Sequence, residues 1–188
     1  SNFRGWRIAE AVHLSRSLGM PGPVVCQPYY NLLNRQPENE VLPACHFHGI
    51  GVVPYSPIAR GVLTGKYLPG VQPAAGSRAA RGDKRILQTE WREESLEIAQ
   101  TLKTYAESRG GTLLGFSVAW ALAHRAVSSV IAGPRTLAQW EQYFAALNWK
   151  WTAEDEAAVD ELVTPGHPST PGFNDPQYPI AARLTPAE

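Results

Sequence analysis

Gly51-Val-Val-Pro-Tyr-Ser-Pro-Ile-Ala-Arg-Gly-Val-Leu-Thr-Gly-Lys66 decides how the rest of this 188-residue chain is read. Val52 and Val53 are β-branched and start a short buried strand, which Pro54 and Pro57 then break. After the break come an aromatic ring, a hydroxyl, a cation and two glycines. A buried strand that ends in polar and glycine-rich residues is how an α/β barrel builds a ligand site at its C-terminal face. Gly61 and Gly65 let backbone N–H groups approach an anion, with the positive charge of Arg60 and Lys66 beside them. Tyr55 offers a flat face to a planar heterocycle. These residues alone leave two readings open: a site for a ligand with a ring and phosphates, or a strand and tight turn in which Tyr55 caps the core.

Outward from this segment, periodicity and turn residues place the other elements. Arg4 to Leu18 carries Trp6, Ile8, Ala9, Val12 and Leu18 at helical spacing and stops at Gly19. Pro21-Gly22-Pro23 forces a turn into a short strand, Val24 to Gln27. Asn39 reads as the cap of a helix that runs through His48 and ends at Gly49, and the strand Gly51 to Tyr55 follows. Pro69 to Arg85 reads as a long loop, a length that usually signals function or mobility. A helix is expected from Glu90 to Arg109, with Leu96, Ala99, Leu102 and Ala106 on its apolar face. Thr112 opens another through Ala123. Ser128 to Ile131 reads as a strand, and Thr136 caps a helix to Leu147. Thr152 with Asp155 starts the last helix in a capping-box pattern with Asp in place of Glu. After Val163 a tail rich in proline, with Gly166, Gly172 and Asn174, is expected to wrap the surface irregularly. The sequence thus holds three whole strands and the stub of a fourth.

Composition narrows the function classes. Hydrophobic content of 44% with six tryptophans is normal for a globular α/β protein and too high for disorder. A formal net charge of zero gives no footprint for a nucleic-acid partner. No apolar run approaches the roughly 18 residues of a membrane-spanning helix, so no membrane partner is expected. Cys26 and Cys45 are the only cysteines, and both read as reduced core residues of a cytoplasmic protein. Cys45-His46-Phe47-His48 does not read as a metal site. On a helix Cys45 and His46 point about 100° apart, and no second cluster at zinc spacing exists elsewhere in the sequence.

Four ordered motifs resemble the aldo-keto reductases, a family of NADPH-dependent (β/α)8 barrels. Tyr55-Ser-Pro-Ile-Ala-Arg-Gly-Val-Leu-Thr-Gly-Lys-Tyr67 is similar to the family's seventh-strand segment. Ser1-Asn2-Phe3 resembles its fifth strand-to-helix junction, and Val24-Val-Cys-Gln-Pro-Tyr-Tyr-Asn-Leu-Leu-Asn34 its sixth strand and loop. Ser129-Val-Ile-Ala-Gly-Pro-Arg-Thr136 resembles the eighth strand running into the phosphate-binding helix. The resemblance runs from Ser1 to about Leu162. A complete barrel of this kind needs about 250 residues. The fold class it implies is therefore α/β: residues 1–163 as the C-terminal half of a (β/α)8 barrel, parallel strands with outer helices, and 164–188 as a tail. The half barrel exposes strand edges, so the chain is expected to be a fragment whose partner is the missing N-terminal half.

The resemblance also implies site residues. Ser1, Asn2 and Gln27 match the group that holds the nicotinamide carboxamide; their side chains supply both donors and acceptors. Tyr55 matches the aromatic residue that stacks on the nicotinamide ring. Ser56 and the backbone of Pro57, Ile58, Ala59 and Arg60 correspond to the pyrophosphate position, with Lys66 as a nearby cation, and Arg78 matches a basic residue that closes over the cofactor in some relatives. Gly133, Arg135, Thr136 and Gln139 match the 2′-phosphate site, where a helix N-terminus and an arginine suit a dianion. Relatives carry Glu-Asn at the adenine where this chain has Gln142-Tyr143. Gln142 can still accept a hydrogen bond, whereas Tyr143 must stack or turn away.

The family's catalytic Asp, Tyr, Lys and His belong to the first half of the barrel, so no catalytic residue is expected in this chain. The implied parent reaction is reversible hydride transfer between NADPH and a small-molecule carbonyl, an aldehyde or ketone, without a metal. Two other readings are a nucleotide-binding regulatory subunit resembling the potassium-channel β-subunits, and an inactive fragment.

Overall fold

The structure, a computed structural model, describes residues 1–180. It is mixed α/β and helix-rich. The helices are α1 (Gly5–Ser17), α2 (Val41–His48), α3 (Lys84–Thr89), α4 (Glu93–Ser108), α5 (Leu113–Ala123), α6 (Leu137–Ala145) and α7 (Ala153–Leu162). Two short strands, β1 (Val25–Cys26) and β2 (Gly51–Val52), pair in parallel with Val25 opposite Gly51 and Cys26 opposite Val52.

The strands are shorter than the sequence indicates, and the reason is chemical. Pro28, Pro54 and Pro57 carry no N–H to donate into a ladder. Pairing nevertheless continues in parallel as single hydrogen bonds. The Tyr55 N–H donates to the Pro28 carbonyl at 3.1 Å, and the Ile131 N–H to the Pro54 carbonyl at 2.9 Å. Bridges join Tyr29 to Tyr55, Val52 to Val127 and Tyr55 to Ile131. Residues 128–131, expected as a strand, pair only at such isolated bridges. On the far side of β1 the Asn2 N–H reaches the Gln27 carbonyl at 3.2 Å. The order across this set is therefore Asn2, β1, β2 and the 127–131 segment.

Three helix starts are set by threonine side chains. Thr112, Thr136 and Thr152 accept from the N–H groups of Gly115, Gln139 and Asp155, and the Thr152–Asp155 pair forms a complete capping box. Four boundaries differ from expectation. Asn39 does not cap α2; its side-chain amide instead donates to the Gly166 carbonyl in the tail at 2.7 Å. The expected loop Pro69–Arg85 ends two residues early, at Asp83, which caps α3 by accepting from the Arg85 and Ile86 N–H groups at 3.0 Å. The expected Glu90–Arg109 helix therefore begins only at Glu93. The helix from Thr136 ends at Ala145 and tightens into a 3₁₀ turn, Ala146–Asn148.

Helix α5 shows why the core forms where it does. Every residue from Leu113 to Ala121 is buried, so the helix is apolar all round and sits inside the molecule. Phe116 meets Tyr105, Trp149 and Trp151 with ring centroids 4.9–5.6 Å apart. Cys26 and Cys45 are buried and free. At the end of α2, Gly49 takes the left-handed φ of 71° that closes the helix, a conformation that penalises a Cβ.

The tail is irregular, as expected, and firmly attached. The Ser169 N–H donates to the Leu33 carbonyl, Arg35 N–H to the His167 carbonyl, and Arg85 binds Asp175 through both Nη atoms at 2.6 and 3.1 Å. Residues 181–188 of the expected tail lie outside the described residues.

Candidate functional site

The ends of the parallel segments bring together residues far apart in sequence. The Asn2 side chain joins two of them: Nδ2 donates to the Tyr55 hydroxyl at 3.0 Å, and Oδ1 accepts from the Tyr29 N–H at 3.0 Å. The Ser1 hydroxyl donates to the Gln27 carbonyl at 2.8 Å. Gln27 is half-buried, and its side-chain amide has no hydrogen-bond partner among the described residues. Tyr55 is half-buried and stacks on Tyr29, with centroids 5.6 Å apart and planes 27° apart. Burial raises the Tyr55 hydroxyl above its ordinary pKa, and the hydrogen bond from Asn2 opposes this.

The loop after Tyr55 is wound in an unusual way. Asn2, Ser56, Ala59 and Arg60 are the non-glycine residues with positive φ among the described residues, at 53°, 56°, 48° and 51°. All four fall in the segments singled out from the sequence. Left-handed non-glycine residues persist where surrounding contacts hold them, and they gather at ligand sites. Here the Asn31 side chain donates to the Ser56 carbonyl at 3.0 Å, and the Ala59 N–H closes a turn onto Ser56. The Ser56 and Ile58 N–H groups have no acceptor among the described residues. Pro57 and Ala59 are buried. Alternation of right- and left-handed residues aims backbone N–H groups into a shared concavity suited to an anion.

The Arg60 side chain is committed to α3 and the residue after it. Its Nε lies 3.1 Å from Glu90 Oε2 and 3.2 Å from Thr89 Oγ1. Glu90 is wholly buried and also accepts from the Tyr29 hydroxyl at 2.8 Å. Burial pushes the Glu90 carboxyl above the usual carboxylate range, and Arg60 and the hydrogen bonds oppose this. Sequence reading gave Glu90 and Tyr29 no part in holding the cofactor. Their partners lie 30 and 61 residues away from Glu90, and no local signal joins them. The remaining cation of this segment, Lys66, is exposed and sits 5.0 Å from the Tyr67 ring centroid. Arg78 is paired with Asp83 at 3.5 Å on the exposed loop before α3.

At the other end, Thr136 caps α6 by accepting from the Gln139 N–H at 3.2 Å, while Gln139 Oε1 accepts from the Arg135 N–H at 2.7 Å. Gln139 is thus committed to the helix start. The Arg135 and Gln142 side chains are exposed, as is Gly133, around which a Cβ would meet nothing within 4 Å. Tyr143 turns inward: it is buried with Leu114, Val118 and Ala146.

Against known proteins, the model of the aldo/keto reductase family matches residues 1–164. The chain is 37% identical over 134 residues to a probable voltage-gated potassium channel subunit beta of Oryza sativa subsp. japonica, covering 71% of this chain and 41% of that one. It is 31% identical over 159 residues to aflatoxin B1 aldehyde reductase member 2 of Rattus norvegicus, covering 78% and 43%. With L-glyceraldehyde 3-phosphate reductase of Escherichia coli (strain K12) it shares 29% over 169 residues, covering 88% and 49%. The chain spans less than half the length of each of these relatives.

Proposed function

Because this chain belongs to the aldo/keto reductase family, we propose that residues 1–163 form the C-terminal half of a (β/α)8 barrel and hold NADP(H) for reversible reduction of an aldehyde or ketone. The family is one of oxidoreductases and generally uses NADP(H). When bound, the cofactor would supply the hydride. The chain's own residues would hold and orient it.

The observation that carries this reading is the Asn2–Tyr55 hydrogen bond beside the unpartnered Gln27 amide. A carboxamide needs both donors and acceptors. Gln27 has both free, and Asn2 keeps a second Nδ2 hydrogen and a second Oδ1 lone pair after bonding Tyr55 and Tyr29. Tyr55 is then fixed at its hydroxyl, with its ring at the same end of the sheet. For the pyrophosphate, the Ser56 and Ile58 amides with Lys66 form a suitable donor set. Arg60 contributes its backbone, since its side chain is taken by Glu90. For the 2′-phosphate, the start of α6 offers helix-end amides with Arg135, and Thr136 and Gln139 hold that end in shape. Gln142 would meet the adenine.

Proton donation to the carbonyl would fall to residues outside this chain. The tyrosines near the site are poor candidates. Burial raises the pKa of Tyr29, Tyr30 and Tyr55, with Glu90 and Glu38 adding to it at the first two, whereas a proton donor is helped by a lowered value.

Titration with NADPH and NADH tests the reading. Arg135→Ala is expected to weaken NADPH by roughly 1.5–3 kcal/mol, the size of a charge-assisted hydrogen bond, and to leave NADH nearly unchanged. Equal losses for both cofactors would mean that Arg135 acts through the fold.

Similarity to a probable channel β-subunit favours a second reading, a nucleotide-binding regulatory subunit. Turnover of NADPH with simple aldehydes by the protein that carries this chain separates the two.

A further inference from the structure

Glu90 lies at the junction of α3 and α4, outside every segment assigned to the cofactor, and is 0% exposed. Its carboxylate has three partners. Oε1 accepts from the Tyr29 hydroxyl at 2.8 Å, and Oε2 accepts from Arg60 Nε at 3.1 Å and from the Thr89 hydroxyl. Two of these partners lead directly into the candidate site. Tyr29 supplies the ring on which Tyr55 stacks and the N–H that Asn2 accepts. Arg60 is a left-handed residue, at φ 51°, in the loop whose Ser56 and Ile58 amides have no acceptor among the described residues. A left-handed arginine is retained only where its surroundings over-determine it. An ion pair with a wholly buried carboxylate provides that constraint, because losing either partner strands a charge away from water.

We propose that Glu90 is a positioning residue that prearranges both halves of the cofactor site. Through Tyr29 it sets the Tyr55 ring, and through Arg60 it sets the backbone of residues 56–61. This rests on the cofactor reading above for its ligand, but the prearrangement exists in the cofactor-free protein and is measurable there. The pair also keeps the Arg60 guanidinium off the phosphates, so the loop presents neutral amides at that point.

The test uses Glu90→Gln, which keeps an oxygen for Tyr29 but cannot form the ion pair, and Tyr29→Phe, a milder change that keeps the ring. Without cofactor, hydrogen exchange should quicken about tenfold or more in residues 56–65 of Glu90→Gln, with α5 and α7 unchanged. With ligand, NADPH affinity should fall about tenfold, because a competent loop population cut to a tenth raises the apparent Kd in proportion. Affinity for adenosine 2′,5′-bisphosphate, which probes only the α6 end, should hold. Tyr29→Phe should show the same pattern, smaller, and it stands in if Glu90→Gln does not fold. Unchanged exchange in residues 56–65, or acceleration spread over the whole chain, would overturn the positioning role. If the unaltered protein binds neither NADPH nor the bisphosphate, the cofactor reading fails, and the exchange result alone decides the role of Glu90.

Discussion

Tyr55 is held at two points, its hydroxyl by Asn2 and one ring face by Tyr29, at the end of a parallel segment. If it carries the nicotinamide, the two uses of its ring separate experimentally. Stacking between aromatic rings is worth about 0.5–1.5 kcal/mol, so Tyr55→Ala in the intact protein should lower NADPH affinity only several-fold. Hydride transfer should fall more steeply, since a displacement of about 1 Å at a reacting centre can cost on the order of 10²-fold in rate. Stopped-flow rates beside equilibrium titrations measure both. Parallel losses would return Tyr55 to the core. The position of this ring was legible from Pro54, Pro57 and the two glycines nearby. The role of Arg60 was not. Its charge reads as an anion ligand, and only the approach of Glu90, 30 residues on, commits it elsewhere.

Helices α5, α6 and α7 begin where their threonines indicate, because a cap acts over three residues and local sequence contains all of it. The Asp155 half of the last cap also reaches beyond its element, accepting from the Tyr105 hydroxyl at 2.9 Å and Trp149 Nε1 at 3.2 Å. Burial pushes its carboxyl up, but the bonds from Trp149, Tyr105 and Thr152 together outweigh this and hold it below its ordinary value. A carboxyl with a lower pKa folded than unfolded stabilises the fold above the unfolded value, about 3.9, and loses that contribution as pH falls through the folded value. Asp155→Asn should therefore cost about 1–3 kcal/mol at neutral pH, with the deficit narrowing below about pH 4. Urea melts from pH 7 to 3 check this. A constant deficit would assign the loss to packing. The α2 start failed as a reading because Asn39 is a good cap residue in composition, yet its amide finds a stronger use against Gly166, a partner supplied by the tail.

Over the whole molecule, the sheet ends in uncovered apolar surface. Val24 and Val25, at the start of β1, are 79% and 53% exposed, and Ile131 is 39% exposed. Parallel sheets are normally covered on both faces. This supports the proposal that the 188 residues work beside further barrel strands, and it yields a direct expectation. A verified 188-residue product should reduce no carbonyl compound with NADPH above a Tyr55→Phe control, whatever its affinity for the cofactor. Measured turnover above that control would place a proton donor within these residues. Sequence alone determined the alternation of helices and parallel segments, the ends of most helices, the irregular tail and the family, since each rests on residues within a few positions or on ordered motifs. Only the tertiary structure decided that Asn2 bonds Tyr55, that Arg60 and Tyr29 share Glu90, that Tyr143 packs inward, and that Arg85 ties down the tail at Asp175. The bonded pairs are 30 to 90 residues apart. Whether such groups meet depends on how buried surfaces pack, and no period or cap in the chain encodes that.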